Sequence, residues 1–254
     1  MLKRGSLLVA VFALCLICVG CGSRRSDKLT IAAASNTQFA LEEVIQSFEN
    51  KTGIECELIV GSSGKLTAQI TQGAPYDVFL SADLKYPKTL FESKLTIKEP
   101  RIYAYGRLVL WTIKADIEPK IESLTNENIH QIAIPNPKTA PYGKASEEVL
   151  NKLKIYDRLK EKLVFGENIS QTSQFVFSES VDVGFTSLSV VHSPELMVKG
   201  NWTTIPQHLY SPLAQGMVIL QNGKREEAKK FEEFLFSESA IQIFSKFGYY
   251  QMPQ

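Results

Sequence analysis

The sequence predicts an α/β fold on parallel strands, and three observations carry that prediction. Short apolar runs alternate with stretches whose apolar residues recur at helical spacing, so the first half opens strand–helix–strand–helix–strand. The first two strand-to-helix junctions carry serines, at Ser35 and at Ser62-Ser63. The composition is that of an ordinary globular chain: 254 residues, 44% hydrophobic and 22% charged, long enough for one or two domains. Units of this kind make a parallel sheet with helices on its faces, joined by right-handed crossovers.

The chain begins with a targeting segment. Lys3 and Arg4 precede Leu7 to Val19, 13 residues without a charge. As a helix that run is ~20 Å long, short of a hydrocarbon core of ~30 Å, and it reads as a secretory signal and not a spanning helix. It ends Cys18-Val19-Gly20-Cys21-Gly22-Ser23. This resembles a bacterial lipobox, in which the cysteine after a small residue is lipidated before cleavage. Gly20 and Cys21 match; Cys18 stands where the pattern favours leucine. Residues 1–20 are thus expected to be a lipoprotein-type signal peptide, Cys21 the lipidated residue, and residues 21–28 a polar tether to an extracytoplasmic domain. Cys56, in Glu55 to Val60, is left without an internal partner and reads as a small buried hydrophobe.

The body follows in order. Leu29 to Ala34 is the first strand. Ser35 with Gln38 three residues later forms a capping box, and Leu41, Val44, Ile45 and Phe48 give the next helix one apolar face, stopped at Gly53. Glu55 to Val60 is the second strand, Gly61 to Gly64 a turn, Leu66 to Gln72 a helix and Tyr76 to Ser81 the third strand. Arg101 to Ile113 reads as one longer strand and Gln131 to Ile134 as a short one, followed by a stiff loop with Pro135, Pro137 and Pro141. Gly143 to Leu153 and Ser170 to Phe177 read as helices, with Val164-Phe165 and Val181 to Thr186 as strands. Trp202 to Ile205 and Leu213 to Leu220 complete the strands, and Arg225 to Phe236 and Ser239 to Phe247 are closing helices.

Charge and residue types exclude several functions. The formal net charge is +1, without the basic excess of a nucleic-acid module. Three of the four cysteines lie in the first 21 residues and the three histidines are scattered, so no zinc spacing can be drawn. Gly61-Ser62-Ser63-Gly64-Lys65 is followed by Leu66, where a P-loop needs Ser or Thr, and it falls one residue short of the G-x-S-x-G nucleophile elbow. What it offers is anion chemistry. Ligands of open parallel sheets bind beyond the carboxyl ends of the strands. Ser35 and Ser62-Ser63 fall there, each with a hydroxyl and free N–H groups at the positive end of a helix. Read as structure only, each serine is a helix cap.

Ala32-Ala33-Ala34-Ser35, Gly61-Ser62-Ser63-Gly64-Lys65-Leu66, Gln69-Ile70 and Gly73-Ala74-Pro75-Tyr76-Asp77-Val78-Phe79-Leu80-Ser81-Ala82-Asp83 follow one another with a recognisable order and spacing, and Ile243 to Tyr249 closes the chain. Over roughly residues 29–250 this resembles the molybdate-binding proteins of bacterial ABC importers. The resemblance implies a type II periplasmic-binding-protein fold: two lobes, each a mostly parallel sheet flanked by helices, joined by a two-crossing hinge. Lobe I would be residues 29–106 plus 212–254, lobe II residues 107–211. It implies a monomeric binding protein, not an enzyme, with no cofactor and no direct metal ligands. Molybdate, and tungstate of nearly the same size, would be held in the cleft as an oxyanion by neutral donors and delivered to an importer permease.

By the same resemblance, Ser35 and Ser63 are the first-lobe serine donors. Tyr142, in Asn136-Pro137-Lys138-Thr139-Ala140-Pro141-Tyr142-Gly143, and Ile169 correspond to second-lobe backbone N–H donors. Where the family's best-known members carry a tyrosine hydroxyl donor, this chain has Ser187, then Leu188 and Ser189. Two other functions are weighed against this one: a binding protein of the same fold for another oxyanion such as sulfate, and a hydrolase using Ser63. Asp77 and Asp83 are expected to hold turns or caps.

Overall fold

The computed structural model describes residues 27–194, 196 and 199–251; the expected signal segment, Cys21 and most of the tether lie outside them. Ten strands form two sheets of five. The first comprises β1 (Leu29–Ala34), β2 (Cys56–Gly61), β3 (Val78–Ser81), β4 (Arg101–Gly106) and β10 (Leu213–Ile219), in the order β2-β1-β3-β10-β4. The second comprises β5 (Leu108–Thr112), β6 (Ile132–Pro135), β7 (Leu163–Gly166), β8 (Val183–Ser187) and β9 (Asn201–Thr204), in the order β7-β6-β8-β5-β9. Each sheet is the core of one lobe. In each, three strands pair parallel, and the two that complete it pair antiparallel.

The helices lie on both sheets: α1 (Gln38–Thr52), α2 (Ser63–Thr71), α3 (Lys85–Glu92), α4 (Pro141–Lys152), α5 (Tyr156–Leu159), α6 (Ile169–Phe177), α7 (Leu188–Val191), α8 (Arg225–Leu235) and α9 (Glu238–Lys246). The apolar stripe of α1 (Leu41, Val44, Ile45 and Phe48) packs with Phe231 and Phe234 of α8 and Phe244 of α9 on one face of the first sheet. Gly53 ends α1 with φ of 71°, its N–H on the Glu49 carbonyl, the left-handed stop the sequence predicts. Asp77 ties three segments: its carboxylate accepts the N–H groups of Thr30 and of Lys224, each at 2.7 Å.

Three expectations are corrected. The run Arg101 to Ile113 is two strands, one in each sheet, because the chain crosses between lobes at Arg107. A Cβ on Gly106 would stand 2.1 Å from the Tyr142 hydroxyl, so only glycine lets the crossing pass this side chain. The capping box at Ser35 does not form. A 3-10 turn over Ser35–Thr37 delays the α-helix to Gln38, and Ser35 is not placed to cap it. Finally, the stretch between Ser81 and Arg101, given no element from the sequence, contains α3, with Pro87 in its first turn, where proline is tolerated.

Candidate anion-binding site

Five parallel-strand ends converge on the space between the lobes. From the first sheet come β1 with Ser35, β2 with Ser62 and Ser63, and β3 with Ala82. From the second come β6, continued by Ala140 to Tyr142, and β7, continued by Asn168 and Ile169. These residues, with Ala34, Asn36 and Gly61, line one small cavity of about 10 Å³. Organic solutes occupy pockets of ~300 Å³ and more, so this space excludes them; as closed here it has about the room of one water. None of its twelve lining residues is charged.

The local folding explains why donors gather there. Helices α2, α4 and α6 all begin at the cavity. The first turn of a helix leaves its N–H groups without intrahelical acceptors and concentrates partial positive charge. Pro141 at the start of α4 supplies no N–H and holds the helical φ, leaving Tyr142 and Gly143 as the next first-turn donors. Asn168 caps α6, its side chain accepting the Gln171 N–H at 3.0 Å.

The serine hydroxyls are arranged as donors. Ser35 Oγ accepts the Ile169 N–H at 3.1 Å, a bond from one lobe to the other. Ser63 Oγ accepts the Ala82 N–H at 3.1 Å. Each oxygen thus receives one bond and keeps a proton to give. Ser62, 2% exposed, has a buried Oγ with no partner among the described residues. A hydroxyl that is buried and unbonded beside three helix starts is a third donor, and buried polar groups are rarely left that way without a reason.

The expected site residues fall as follows. Ser35, Ser63, Tyr142 and Ile169 are brought together on the cavity wall. Ser187 is not part of that wall. It is fully buried and its Oγ lies 2.9 Å from Ser189 Oγ. Asn36, Ala82 and Asn168 carry no site role in the sequence reading, and Ser62 is read there with Ser63 as an anion-facing turn but not as a ligand of its own. Asn168 alone had a local signal, an asparagine three residues before Gln171 at a helix start.

The Tyr142 hydroxyl has no hydrogen-bond partner among the described residues. It is buried against Gly106, with the Asn36 side chain nearby, and burial pushes its pKa well above the usual tyrosine value; it stays neutral. Asp83 lies outside the wall; its carboxylate takes bonds from Ser81 Oγ at 3.1 Å and the Tyr86 N–H at 3.3 Å. Burial nevertheless raises its pKa above the usual carboxylate value. None of the three histidines borders the cavity, so Ser63 has no general base and is not poised as a nucleophile. The Cys56 thiol is pushed up to about 12 by burial, which makes it a poor nucleophile or metal ligand.

The lobes touch around the rim. The Gly64 N–H donates to the Thr139 carbonyl at 2.8 Å, the Tyr86 hydroxyl to the Lys138 carbonyl at 3.3 Å, and Lys65 pairs with Glu167 at 2.7 Å. The ion pair is half-exposed and contributes little. The cleft is therefore closed, with its donors facing inward.

Two α/β lobes closing over a small donor-lined cavity define a solute-binding protein. The chain belongs to the bacterial extracellular solute-binding protein family, which it matches over residues 29–250. It is 37% identical to the molybdate-binding protein ModA of Rhodobacter capsulatus over 227 residues, 88% of each chain. It is 30% identical to the putative ABC transporter substrate-binding lipoprotein YvgL of Bacillus subtilis, covering 98% of this chain and 99% of that one. Its fold is similar to the solved periplasmic molybdate-binding protein of Azotobacter vinelandii, with a TM-score of 0.83 and 32% identity over 89% of this chain and all of that one.

Proposed function

We propose that this protein captures molybdate, and tungstate as its near-isostere, outside the cytoplasm and hands it to an ABC importer permease. The observation that carries the reading is a closed cavity with serine hydroxyls and helix-start N–H groups on its wall and no charged side chain. A dianion taken out of water needs many well-aimed donors, and bonds to a charged acceptor are stronger than neutral ones. Relatives named for molybdate binding at 37% and 32% identity support the choice of anion.

In this reading the anion sits among the hydroxyls of Ser35, Ser62 and Ser63 and the Tyr142 N–H, and it draws to itself the Ile169 N–H that Ser35 Oγ accepts at 3.1 Å in its absence. The lobes, residues 29–106 plus 212–254 and residues 107–211, swing about the two crossings. Size selects the ion: a smaller anion leaves buried donors unpaired, at ~1–3 kcal/mol each. Hydrogen phosphate brings a proton for which the donor-rich cavity has no matched acceptor. Lipidation at Cys21 after removal of residues 1–20 would hold the binding protein at the membrane, and the lipoprotein name of the Bacillus subtilis relative supports it.

The test is calorimetric titration with molybdate, tungstate, sulfate and phosphate. Tight binding of the first two alone is the expected result. A preference for sulfate would move the protein to another oxyanion, and silence toward all four would remove the anion reading.

A further inference from the structure

A second, fully buried polar network lies on the hinge side of the cavity. Its centre is Asn36, which both lines the cavity and follows Ser35. The Asn36 side-chain amide donates to Gln215 Oε1 and to the Tyr249 hydroxyl, each at 2.8 Å. Its carbonyl lies 2.5 Å from Ser189 Oγ and 2.8 Å from the Tyr249 hydroxyl. Gln215 in turn donates to the carbonyls of Ala82 and Leu213 at 3.1 and 2.8 Å. Ser189 Oγ also lies 2.9 Å from Ser187 Oγ and 3.1 Å from the Tyr249 hydroxyl. Each of these five side chains is at most 4% exposed.

With the shortest contact made, Ser189 to the Asn36 carbonyl, the Tyr249 proton has two acceptors, that carbonyl at 2.8 Å and Ser189 Oγ at 3.1 Å, and the shorter bond gives the following assignment. Ser187 donates to Ser189, Ser189 to the Asn36 carbonyl and Tyr249 to the same carbonyl. The two amide protons of Asn36 go to Gln215 and Tyr249, and those of Gln215 to Ala82 and Leu213. Every donor is used, so the Ser187 proton is committed and does not serve an anion. The network also spans the molecule: Asn36, Gln215 and Tyr249 belong to the first sheet and its helices, while Ser187 and Ser189 end β8 and begin α7 of the second lobe.

We infer that Ser189 and Tyr249 are positioning residues for the anion site: together they clamp the Asn36 carbonyl, fix the Ser35–Asn36 turn at the cavity wall, and latch the second lobe onto the first from the hinge side. The inference rests on the oxyanion-binding reading of the cavity. In a buried setting of low dielectric an unmade bond is costly, and the carbonyl's two donors come from different lobes. Opening the cleft separates Ser189 from Asn36, so the latch acts on release of the anion and not on its entry. It also gives the Ser187-Leu188-Ser189 segment a role: it supplies a hydroxyl to the turn that holds Ser35 instead of a hydroxyl to the ligand.

The experiment compares the wild-type chain with Ser189→Ala and Tyr249→Phe, by stopped-flow molybdate binding and by small-angle X-ray scattering without ligand. Each variant is expected to raise the dissociation rate about tenfold, the effect of one lost hydrogen bond and its orphaned partner. The association rate should stay within about twofold, because mutants of one interface differ mostly in dissociation. The ligand-free radius of gyration should rise in Ser189→Ala. The double variant should lose less than the sum, since both groups share one acceptor. Unchanged dissociation in both variants, or equal losses in both rate constants, overturns the latch. If Ser189→Ala fails to fold, Tyr249→Phe decides alone, as it keeps the ring and removes only the hydroxyl. If the wild type binds no oxyanion, the functional reading falls, while the ligand-free scattering still tests the latch: identical curves overturn it.

Discussion

Removing the Ser63 hydroxyl acts on binding and on stability, and the two effects can be separated. Ser63 is fully buried and accepts the Ala82 N–H at 3.1 Å, which leaves its proton for the anion. Ser63→Ala therefore deletes one bond to a charged acceptor, ~1.5–3 kcal/mol, and raises Kd roughly 10- to 150-fold at 1.4 kcal/mol per decade. It also orphans the Ala82 N–H, a cost of ~1–3 kcal/mol without ligand and a fall in Tm of roughly 2–4 °C per kcal/mol for a chain of this size. Ser62→Ala supplies the contrast. Its Oγ has no partner among the described residues, so its loss weakens binding by a similar factor with no loss of ligand-free stability. Titration calorimetry gives the first quantity and denaturant unfolding the second. A Ser63→Ala protein that binds within twofold of wild type, or a Ser62→Ala protein as destabilised as Ser63→Ala, would refute the assignment of these hydroxyls.

Three further changes test other parts of the molecule. In Gly64→Ala the new Cβ would lie 3.0 Å from both Cα and the carbonyl oxygen of Thr139 across the cleft; closing then costs ~1–3 kcal/mol, while the helix start gains ~0.5–1 kcal/mol. Affinity falls and the ligand-free melting temperature holds or rises; loss of both would contradict the account. Gly106→Ala drives a methyl group onto the Tyr142 hydroxyl at 2.1 Å and destabilises by at least ~1–3 kcal/mol, with partial rescue by Tyr142→Phe in thermal unfolding. Asp182 holds the N–H groups of His130 and Gln131 at 2.6 and 2.8 Å and Lys114 at 2.7 Å. Burial opposes its charge, but these partners outweigh burial and lower its pKa. Because the folded pKa is the lower one, its contribution is present above the unfolded value of ~3.9 and fades as pH falls through the folded value. Asp182→Asn should cost ~1.5–3 kcal/mol at pH 7, a deficit that closes below about pH 4 in urea titrations; a deficit independent of pH would refute it.

The sequence made the first-lobe half of the cavity legible because its chemistry is local. A strand, a serine and a helix start follow each other within a few residues at Ser35 and at Ser62-Ser63, and the strand ends fix where they point. The edges of most strands and helices were readable for the same reason. What was hidden depends on residues far away. The strand pattern does not mark the crossing at Arg107, because the run is apolar on both sides, and only the family resemblance places the lobe boundary at 106/107; Gly106 passes the Tyr142 hydroxyl there. Asn36 looks like an ordinary helix-start polar residue, and its partners lie 179 and 213 residues on. The capping box at Ser35 was sound local chemistry, but a 3-10 turn and a bond from the opposite lobe displaced it.

The order of the first sheet also dictates when the protein can finish folding. β10 lies between β3 and β4, so β4 has no neighbour in its sheet until the C-terminal portion of the chain is present. The second sheet, by contrast, is drawn from one uninterrupted stretch, and its contacts close sooner. Pairing β10 requires closing a very long loop before any hydrogen bond repays it, the situation that slows folding. A chain emerging residue by residue would thus complete its inserted lobe first and leave β1, β2 and β3 as an unfinished half-sheet, with the Asp77 carboxylate lacking its Lys224 N–H. The cleft's first-lobe wall is thus complete only once β10 has joined β3 and β4.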